Sequence, residues 1–201
     1  MKIDFFAGLD EAGRGPLAGP VSAACVIVPH DFPLELLNDS KKLTEKKRLA
    51  AYDVIIDKCL WGYGQVEHDE IDRINILKAS LKAMKIAYDD MLTKIGEWCK
   101  KNSYDLPSIP EDICAVCDGT FVPEINCSVF SEPKADGKYP CVMAASIIAK
   151  VNRDRLMVEK YDRLYPEYLY ARHKGYPTPL HKKICRELGP SPIQRLSFNY
   201  K

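Results

Sequence analysis

The sequence has no long hydrophobic run, no low-complexity tract and no internal repeat. No segment approaches the ~20 consecutive apolar residues that a membrane-spanning helix requires. The chain begins with one Lys before Asp4, and this start lacks the pattern of a secretory signal. We therefore expect a cytoplasmic protein that makes no association with a membrane.

The eight cysteines are scattered along the chain and do not form a zinc-binding set. One Cys-x-x-Cys pair occurs, at Cys114 and Cys117, but a zinc site would need a second such pair. This pair lies in the apolar run 113–117, which is typical of a strand interior, whereas a redox pair would follow a strand-to-helix turn. We expect reduced, buried thiols.

The formal net charge is only +1, but the two signs are unevenly distributed. Residues 134–201 carry a net charge of +8, and the rest of the chain carries −7. An acidic centre with a basic binding face is typical of enzymes that act on nucleic acids. A basic helix that is merely solvated is the alternative interpretation.

The hydrophobic pattern predicts that the chain begins with strands and continues with strands that alternate with helices. The expected strands are 3–9, 21–28, 61–66, 113–117 and 127–130. Four helices are expected. The first begins after an N-cap at Thr44, the next two span 69–96 and 140–164, and a short basic helix ends at Gly189. Only a glycine-rich turn separates the first two strands, which favours antiparallel pairing. We expect an α/β fold in a single domain, 1–201, with a mixed sheet flanked by helices.

Four acidic residues stand where apolar strands end or have just ended. Asp10 and Glu11 precede the segment Gly13-Arg14-Gly15, Asp118 ends a buried strand, and Asp136 lies between small residues. Because the carboxyl ends of strands gather over one crevice, these carboxylates would meet and repel one another. Mg²⁺ or Mn²⁺ would relieve that repulsion and hold a phosphate substrate. A set of solvated turns is the alternative.

Six segments resemble, in order and spacing, the ribonuclease HII family, the type 2 ribonucleases H. They are GLDEAGRGPLAGPV, DSKKLTEKKR, VCDGTF, KADGKY, AASIIAKVNRDR, and GYPTPLH followed by GPSPIQRLSF. The resemblance runs from about residue 5 to residue 199, and it departs at Cys117, where an aliphatic residue commonly precedes the catalytic Asp. It implies a ribonuclease H-like mixed sheet with a helical C-terminal extension at about residues 167–201.

The resemblance also implies an activity. Members hydrolyse the RNA strand of RNA–DNA hybrids and cut 5′ of single ribonucleotides embedded in duplex DNA, leaving 3′-hydroxyl and 5′-phosphate ends. Hydrolysis uses two divalent cations, Mg²⁺ or Mn²⁺, and we expect a monomer. The implied catalytic and metal-binding residues are Asp10, Glu11, Asp118 and Asp136. The implied substrate-binding residues are Gly13, Arg14, Gly15, Ser40, Lys41 and Tyr176.

Three further expectations concern the surroundings of these residues. Side chains adjacent in a regular strand point to opposite sides, so we expect the first strand to end at Asp10 and Glu11, with Glu11 the more peripheral ligand. Lys46, Lys47 and Arg48 either bind phosphate or form a solvated helix face. Asp154 is predicted to make a surface ion pair, and His173 and His181 to lie at loop and helix-surface positions without a catalytic role.

Two other functions remain open at this point. One is a nuclease of the ribonuclease H-like superfamily that acts on DNA alone. The other is a basic nucleic-acid-binding module in which the acids are structural. Hydrolysis of a duplex with one ribonucleotide, compared with an all-DNA control, distinguishes the three.

Overall fold

Five strands form one mixed sheet in this computed structural model, which describes residues 5–38, 40, 42–107 and 111–199. The strands are β1 Phe5–Ala12, β2 Val21–Ile27, β3 Leu60–Val66, β4 Ile113–Asp118 and β5 Ser128–Glu132. Their spatial order is β3-β2-β1-β4-β5. The first three strands pair antiparallel, whereas β4 and β5 add in parallel beside β1. The predicted mixed sheet and the antiparallel pairing of the first two strands are confirmed.

Helices cover both faces of the sheet. They are α1 Glu45–Lys58, α2 His68–Ile74, α3 Ile76–Asn102, α4 Pro140–Arg155, α5 Asp162–Leu164, α6 Tyr170–His173 and α7 Pro179–Leu188. A π-helical segment, Leu156–Tyr161, joins α4 to α5, and 3-10 turns occur at Leu34–Leu36, Ala135–Gly137 and Pro166–Tyr168. None of the described helices is both long and apolar enough to cross a bilayer.

The alternation of side chains along β1 separates the two hydrophobic layers. Odd-numbered residues, from Phe5 to Leu9, pack in the cluster that α3 closes on one face of the sheet. Even-numbered residues face α4, which crosses β1 so closely that a Cβ on Gly8 would lie 2.3 Å from the backbone of Cys141 and of Val142. The start of α4 is therefore held close beside β1.

The end of β1 differs from the expectation. The strand continues through Asp10 and Glu11 to Ala12, which pairs with Ser22 of β2. The prediction that it ends at the two acids is wrong, because small buried residues of β2 continue the antiparallel ladder. On the other side the pairing of β1 with β4 runs only to Leu9, so the acids lie where just one neighbour strand is hydrogen-bonded.

The predicted helix 69–96 is in fact two helices. Asn75, at φ 72°, ends α2 by donating its N–H to the carbonyl of Ile71, and its side chain caps α3 by accepting from the N–H of Lys78 at 3.1 Å. The apolar spacing continues across this residue, so periodicity does not reveal the break. Asn tolerates the left-handed φ and is a good N-cap, which explains its place there.

The residues after α4 form a separate hydrophobic cluster. Met157, Tyr161, Tyr170 and Ile193 pack there around Ala18, which comes from the loop after β1. The predicted helix 140–164 is helical throughout but contains the π-helical segment, and the predicted loop 172–180 begins inside α6. The C-terminal helices are thus packed against the loop that follows the two adjacent acids.

Candidate active site

Three carboxylates converge at the α4 face of the sheet. Asp10 and Asp118 are even-numbered residues at the carboxyl ends of the parallel neighbours β1 and β4, so both side chains leave the sheet on this face. Asp136 comes from the 3-10 turn that precedes α4. One carboxylate oxygen from each lies within 4.8 Å of the others, although Asp10 is only 4% exposed and Asp136 only 8%.

Backbone N–H groups fix two of these carboxylates. The Oδ1 atom of Asp118 accepts from the N–H of Ala135 at 2.8 Å, which ties the turn carrying Asp136 to the end of β4. The Oδ1 atom of Asp10 accepts from the N–H of Glu11 at 2.7 Å. These bonds orient the carboxylates of Asp10 and Asp118 within the cluster.

Asp10 holds a negative charge at a high cost. Burial is the main cause that raises the pKa of Asp10 well above its ordinary value, and the charges of Glu11, Asp118 and Asp136 raise it further. A divalent cation would offset both effects. Because the donors are all carboxylate oxygens, they fit a hard ion such as Mg²⁺ or Mn²⁺.

Glu11 lies outside this group of three. As an odd-numbered residue of β1 it leaves the sheet toward α3, and its carboxylate pairs with Arg14 at 3.3 Å. It nevertheless lines two cavities: the one beside Asp10, and a second of about 240 Å³ that also borders Asp118 and Ser80. Glu11 is thus at the rim between the acid cluster and the α3 side of the sheet.

A cavity of about 460 Å³ opens beside Asp10 and Glu11. It is lined by Asp10, Glu11, Ala12, Gly13, Arg14, Gly15, Ser40, Ser146, Lys150 and Tyr176. Every residue that the resemblance assigns to substrate binding lines it except Lys41, which lies outside the described residues, as does its neighbour Asp39. Segments far apart in the sequence therefore meet around one space.

Ser40 is held in this cavity by two contacts. Its Oγ accepts from the hydroxyl of Ser146 on α4 at 2.6 Å. The guanidinium of Arg48 donates to the carbonyls of Ser40 and Leu43, both at 2.9 Å. Arg48 thus supports the segment around Ser40 from α1 and differs from its exposed neighbours at 46 and 47.

Ser146 and Lys150 are cavity residues that the sequence reasoning missed. They lie one helical turn apart on α4, and the Nζ atom of Lys150 is 5.3 Å from the centre of the Tyr176 ring. The same Nζ lies 2.8 Å from an Oδ of Asp154, which supplies the expected ion pair. Polar residues spaced four apart in an apolar helix were the available signal.

The loop from Gly13 to Pro20 wraps around two buried arginines, which were also missed. Both Arg195 and Arg153 have fully buried side chains. Arg195 donates Nε to the carbonyl of Gly19 at 2.8 Å, Nη1 to those of Arg14 at 3.1 Å and Pro16 at 2.9 Å, and Nη2 to that of Gly13 at 2.7 Å. Burial, with a smaller effect from the charge of Arg153, lowers the pKa of Arg195 to about 9.

Arg153 holds the far end of the same loop. Its guanidinium donates to the carbonyls of Pro20 at 2.9 Å, Ala18 at 3.2 Å and Lys174 at 3.0 Å. Gly13, at φ +97°, leaves the space that this side chain fills, since a Cβ there would lie 2.1 Å from its Nε. Only glycine therefore fits at this position.

Tyr176 is oriented by a pair of stacked histidines. Its N–H donates to the carbonyl of His173 at 2.9 Å, and its own carbonyl lies 3.0 Å from Nδ1 of His181. The two imidazoles stack at 4.2 Å and are buried. The prediction that these histidines lie on a loop and a helix surface is wrong, because they form the packed support of the turn that carries Tyr176.

Solved structures that share this architecture are ribonucleases H. Ribonuclease H2 from Pyrococcus horikoshii superimposes with a TM-score of 0.68 at 28% identity, over 97% of this chain and 94% of that one. Bst-RNase HIII in complex with Mn²⁺ gives a TM-score of 0.70 at 18% identity, over 98% of this chain and 68% of that one, and shares the fold. The protein is a metal-dependent nuclease with the ribonuclease H-like fold.

Sequence comparison is more specific. Residues 7–201 match the family Ribonuclease HII. The ribonuclease HII of Treponema denticola is 50% identical over 198 residues, which cover 96% of this chain and 98% of that protein. This chain therefore belongs to the ribonuclease HII family, and the resemblance found in its motifs is confirmed.

Proposed function

We propose that the protein hydrolyses the RNA strand of RNA–DNA hybrids and cuts 5′ of single ribonucleotides embedded in duplex DNA. The products would carry 3′-hydroxyl and 5′-phosphate ends. One observation carries this proposal: Asp10, a member of the acid cluster, lines the same cavity as Gly13, Arg14 and Gly15. A cleavage centre would then lie next to a backbone that a ribose approaches closely.

The four acids are proposed as the catalytic and metal-binding residues. Asp10, Asp118 and Asp136 would hold Mg²⁺ or Mn²⁺, with Glu11 contributing from the rim and two ions present in the substrate complex. When bound, such cations supply an activated water and neutralise charge on the leaving 3′ oxygen. The N–H of Ala135 keeps the Asp118 carboxylate oriented throughout.

The other cavity residues are proposed to recognise the substrate. The backbone of Gly13, Arg14 and Gly15 would contact the ribose 2′-hydroxyl, the group that distinguishes RNA from DNA. Nothing lies within 4 Å of a Cβ built on Gly15, which supports the approach of a sugar there. Tyr176 would pack on the sugar of the following deoxynucleotide, and Ser40 and Lys41 would contact phosphate.

We also propose that residues 1–201 act as one catalytic domain, with about 167–201 as its helical extension. Hydrogen bonds from Gly19 to Ile193 and from Arg195 to Leu17 fasten this extension to the loop after β1. The protein would work as a monomer in the cytoplasm.

The experiment compares three substrates of one sequence in Mg²⁺: a DNA duplex with one ribonucleotide, a continuous hybrid and an all-DNA duplex. We expect cleavage of the first two and mapped 3′-hydroxyl and 5′-phosphate ends. Comparable cutting of the all-DNA duplex would favour the DNA nuclease instead. Binding without any cutting would favour the nucleic-acid-binding module.

A further inference from the structure

The backbone carbonyls of the Gly13–Gly15 segment are held from the protein interior by a buried arginine. The guanidinium of Arg195 donates to two of them, at Gly13 and Arg14, and to two further carbonyls, at Pro16 and Gly19. A planar fork of five N–H donors is suited to such a task, whereas the single ammonium of a lysine is not.

Holding these carbonyls determines where the neighbouring N–H groups point. In a trans peptide unit the C=O and the N–H of the next residue point in opposite directions. The carbonyls of Gly13 and Arg14 point to Arg195, so the N–H groups of Arg14 and Gly15 point away from it. Two successive N–H groups on one side of a loop form a concave donor site for an oxygen.

Arg195 is itself fixed by the segment that carries it. Its N–H donates to the carbonyl of Leu17 at 2.8 Å, beside a bridge between Ala18 and Gln194. The next two residues are held by Asp72 of α2, whose carboxylate accepts from the N–H of Leu196 at 2.7 Å and of Ser197 at 3.0 Å. The guanidinium thus has little freedom to move.

Pairing with an opposite charge does not account for this arrangement. A fully buried guanidinium is costly to desolvate, and the partners it binds are neutral carbonyls rather than a carboxylate. An apolar side chain would avoid the desolvation cost of a guanidinium but would leave four carbonyls without a donor, which is itself costly. What the arginine adds is one defined orientation of the loop.

We infer that Arg195 is a positioning residue that turns the N–H groups of Arg14 and Gly15 toward the substrate and so sets the preference for a ribonucleotide. This inference rests on the proposed function, because it assumes that those groups contact the ribose. Arg153 packs beside Gly13 but donates no hydrogen bond to the carbonyls of residues 13–16, and its role is to hold Ala18, Pro20 and Lys174.

The test measures binding and cleavage separately in Arg195→Lys, which keeps the charge but not the fork. Dissociation constants are measured in Ca²⁺ for a duplex with one ribonucleotide and for the matching all-DNA duplex. We expect the preference for the ribonucleotide to fall about tenfold, the equivalent of ~1.4 kcal/mol, with all-DNA affinity nearly unchanged. In Mg²⁺, kcat/KM on the ribonucleotide duplex should fall by a similar factor.

Two controls separate positioning from loss of stability. Met91→Ala removes a buried side chain of α3, which packs on the opposite face of the sheet, and should lower Tm without changing the preference. Asp72→Ala loosens the segment behind Arg195 and should lower the preference about two- to threefold, since it weakens the support without removing the guanidinium.

An unchanged preference in folded Arg195→Lys overturns the inference. If that variant does not fold, Asp72→Ala decides, and an unchanged preference there overturns it equally. Failure of the proposed function looks different, because the wild-type protein would then show no preference for a ribonucleotide and no cleavage beside it.

Discussion

Replacing Tyr176 by Ala tests how the protein would recognise the junction after a ribonucleotide. The ring lines the cavity beside Asp10 and lies below two cations, 5.3 Å from Nζ of Lys150 and 5.6 Å from Cζ of Arg153. Its backbone is held on both sides by the buried histidines. The ring therefore presents a fixed flat surface to a sugar.

The expected loss of activity follows from the free energy that such a contact contributes. Aromatic stacking on nucleic acid contributes about 1–3 kcal/mol by alanine substitution, which corresponds to about five- to 150-fold in rate. Tyr176→Ala should lose that much kcat/KM on a single embedded ribonucleotide. The loss should be smaller on a continuous hybrid, where the next sugar carries a 2′-hydroxyl and fits the flat ring less well.

Two variants control this measurement. Tyr176→Phe keeps the ring and should retain nearly all activity on both substrates. Tyr104→Ala removes a half-buried tyrosine that stacks on Trp98 at 5.0 Å, outside the cavity, and reports the effect of lost stability alone. Melting temperatures are measured for all three variants. Equal losses on both substrates in a well-folded Tyr176→Ala would refute a role in sensing the junction.

Three other predictions follow from the acids and the histidines. Excess chelator should abolish cleavage and added Mg²⁺ or Mn²⁺ should restore it; full activity in chelator would contradict a metal-dependent site. Asp118→Asn should remove nearly all turnover while leaving substrate binding detectable by anisotropy, because the binding cavity is intact; half of wild-type turnover would show that another acid matters more. Burial, with the neighbouring His181 a smaller cause, lowers the pKa of His173 from 6.5 to about 4. The folded state therefore binds fewer protons than the unfolded state between these values, so the free energy of unfolding should decrease by about 3 kcal/mol as the pH falls from 6.5 to 4. Denaturant titrations of wild type and His173→Gln check this, and identical pH slopes would refute it.

Much of the sheet could be predicted from local pattern because each strand carries its own signal. The apolar run 21–28 and the alternation before Asp10 need no partner to be recognised, and the parallel placement of Asp118 follows from the rule for strand ends. The grouping of Asp10, Asp118 and Asp136 was reachable in the same way.

The support of the loop could not be predicted from local pattern. Arg153 and Arg195 look like ordinary surface arginines, and their burial depends on carbonyls more than 130 positions away in the chain. His173 and His181 are only eight positions apart, but they lie on different helices and stack because α6 and α7 bring them together. Long-range hydrogen bonds to backbone carbonyls leave no periodic trace in a sequence.

The loop from Gly13 to Pro20 and the arginine that binds its carbonyls are synthesised at different times. Arg195 is made 182 positions after Gly13 and 176 after Gly19, the residues whose carbonyls it binds. At about 5–20 residues per second, the interval between them is roughly 10–40 s. All four acids have left the ribosomal active centre before the guanidinium exists. A nascent chain thus contains all four acids before the hydrogen bonds from Arg195 to the loop can form. Under the proposed function, a ribosome-bound fragment that lacks Arg195 is expected to be unable to select a ribonucleotide.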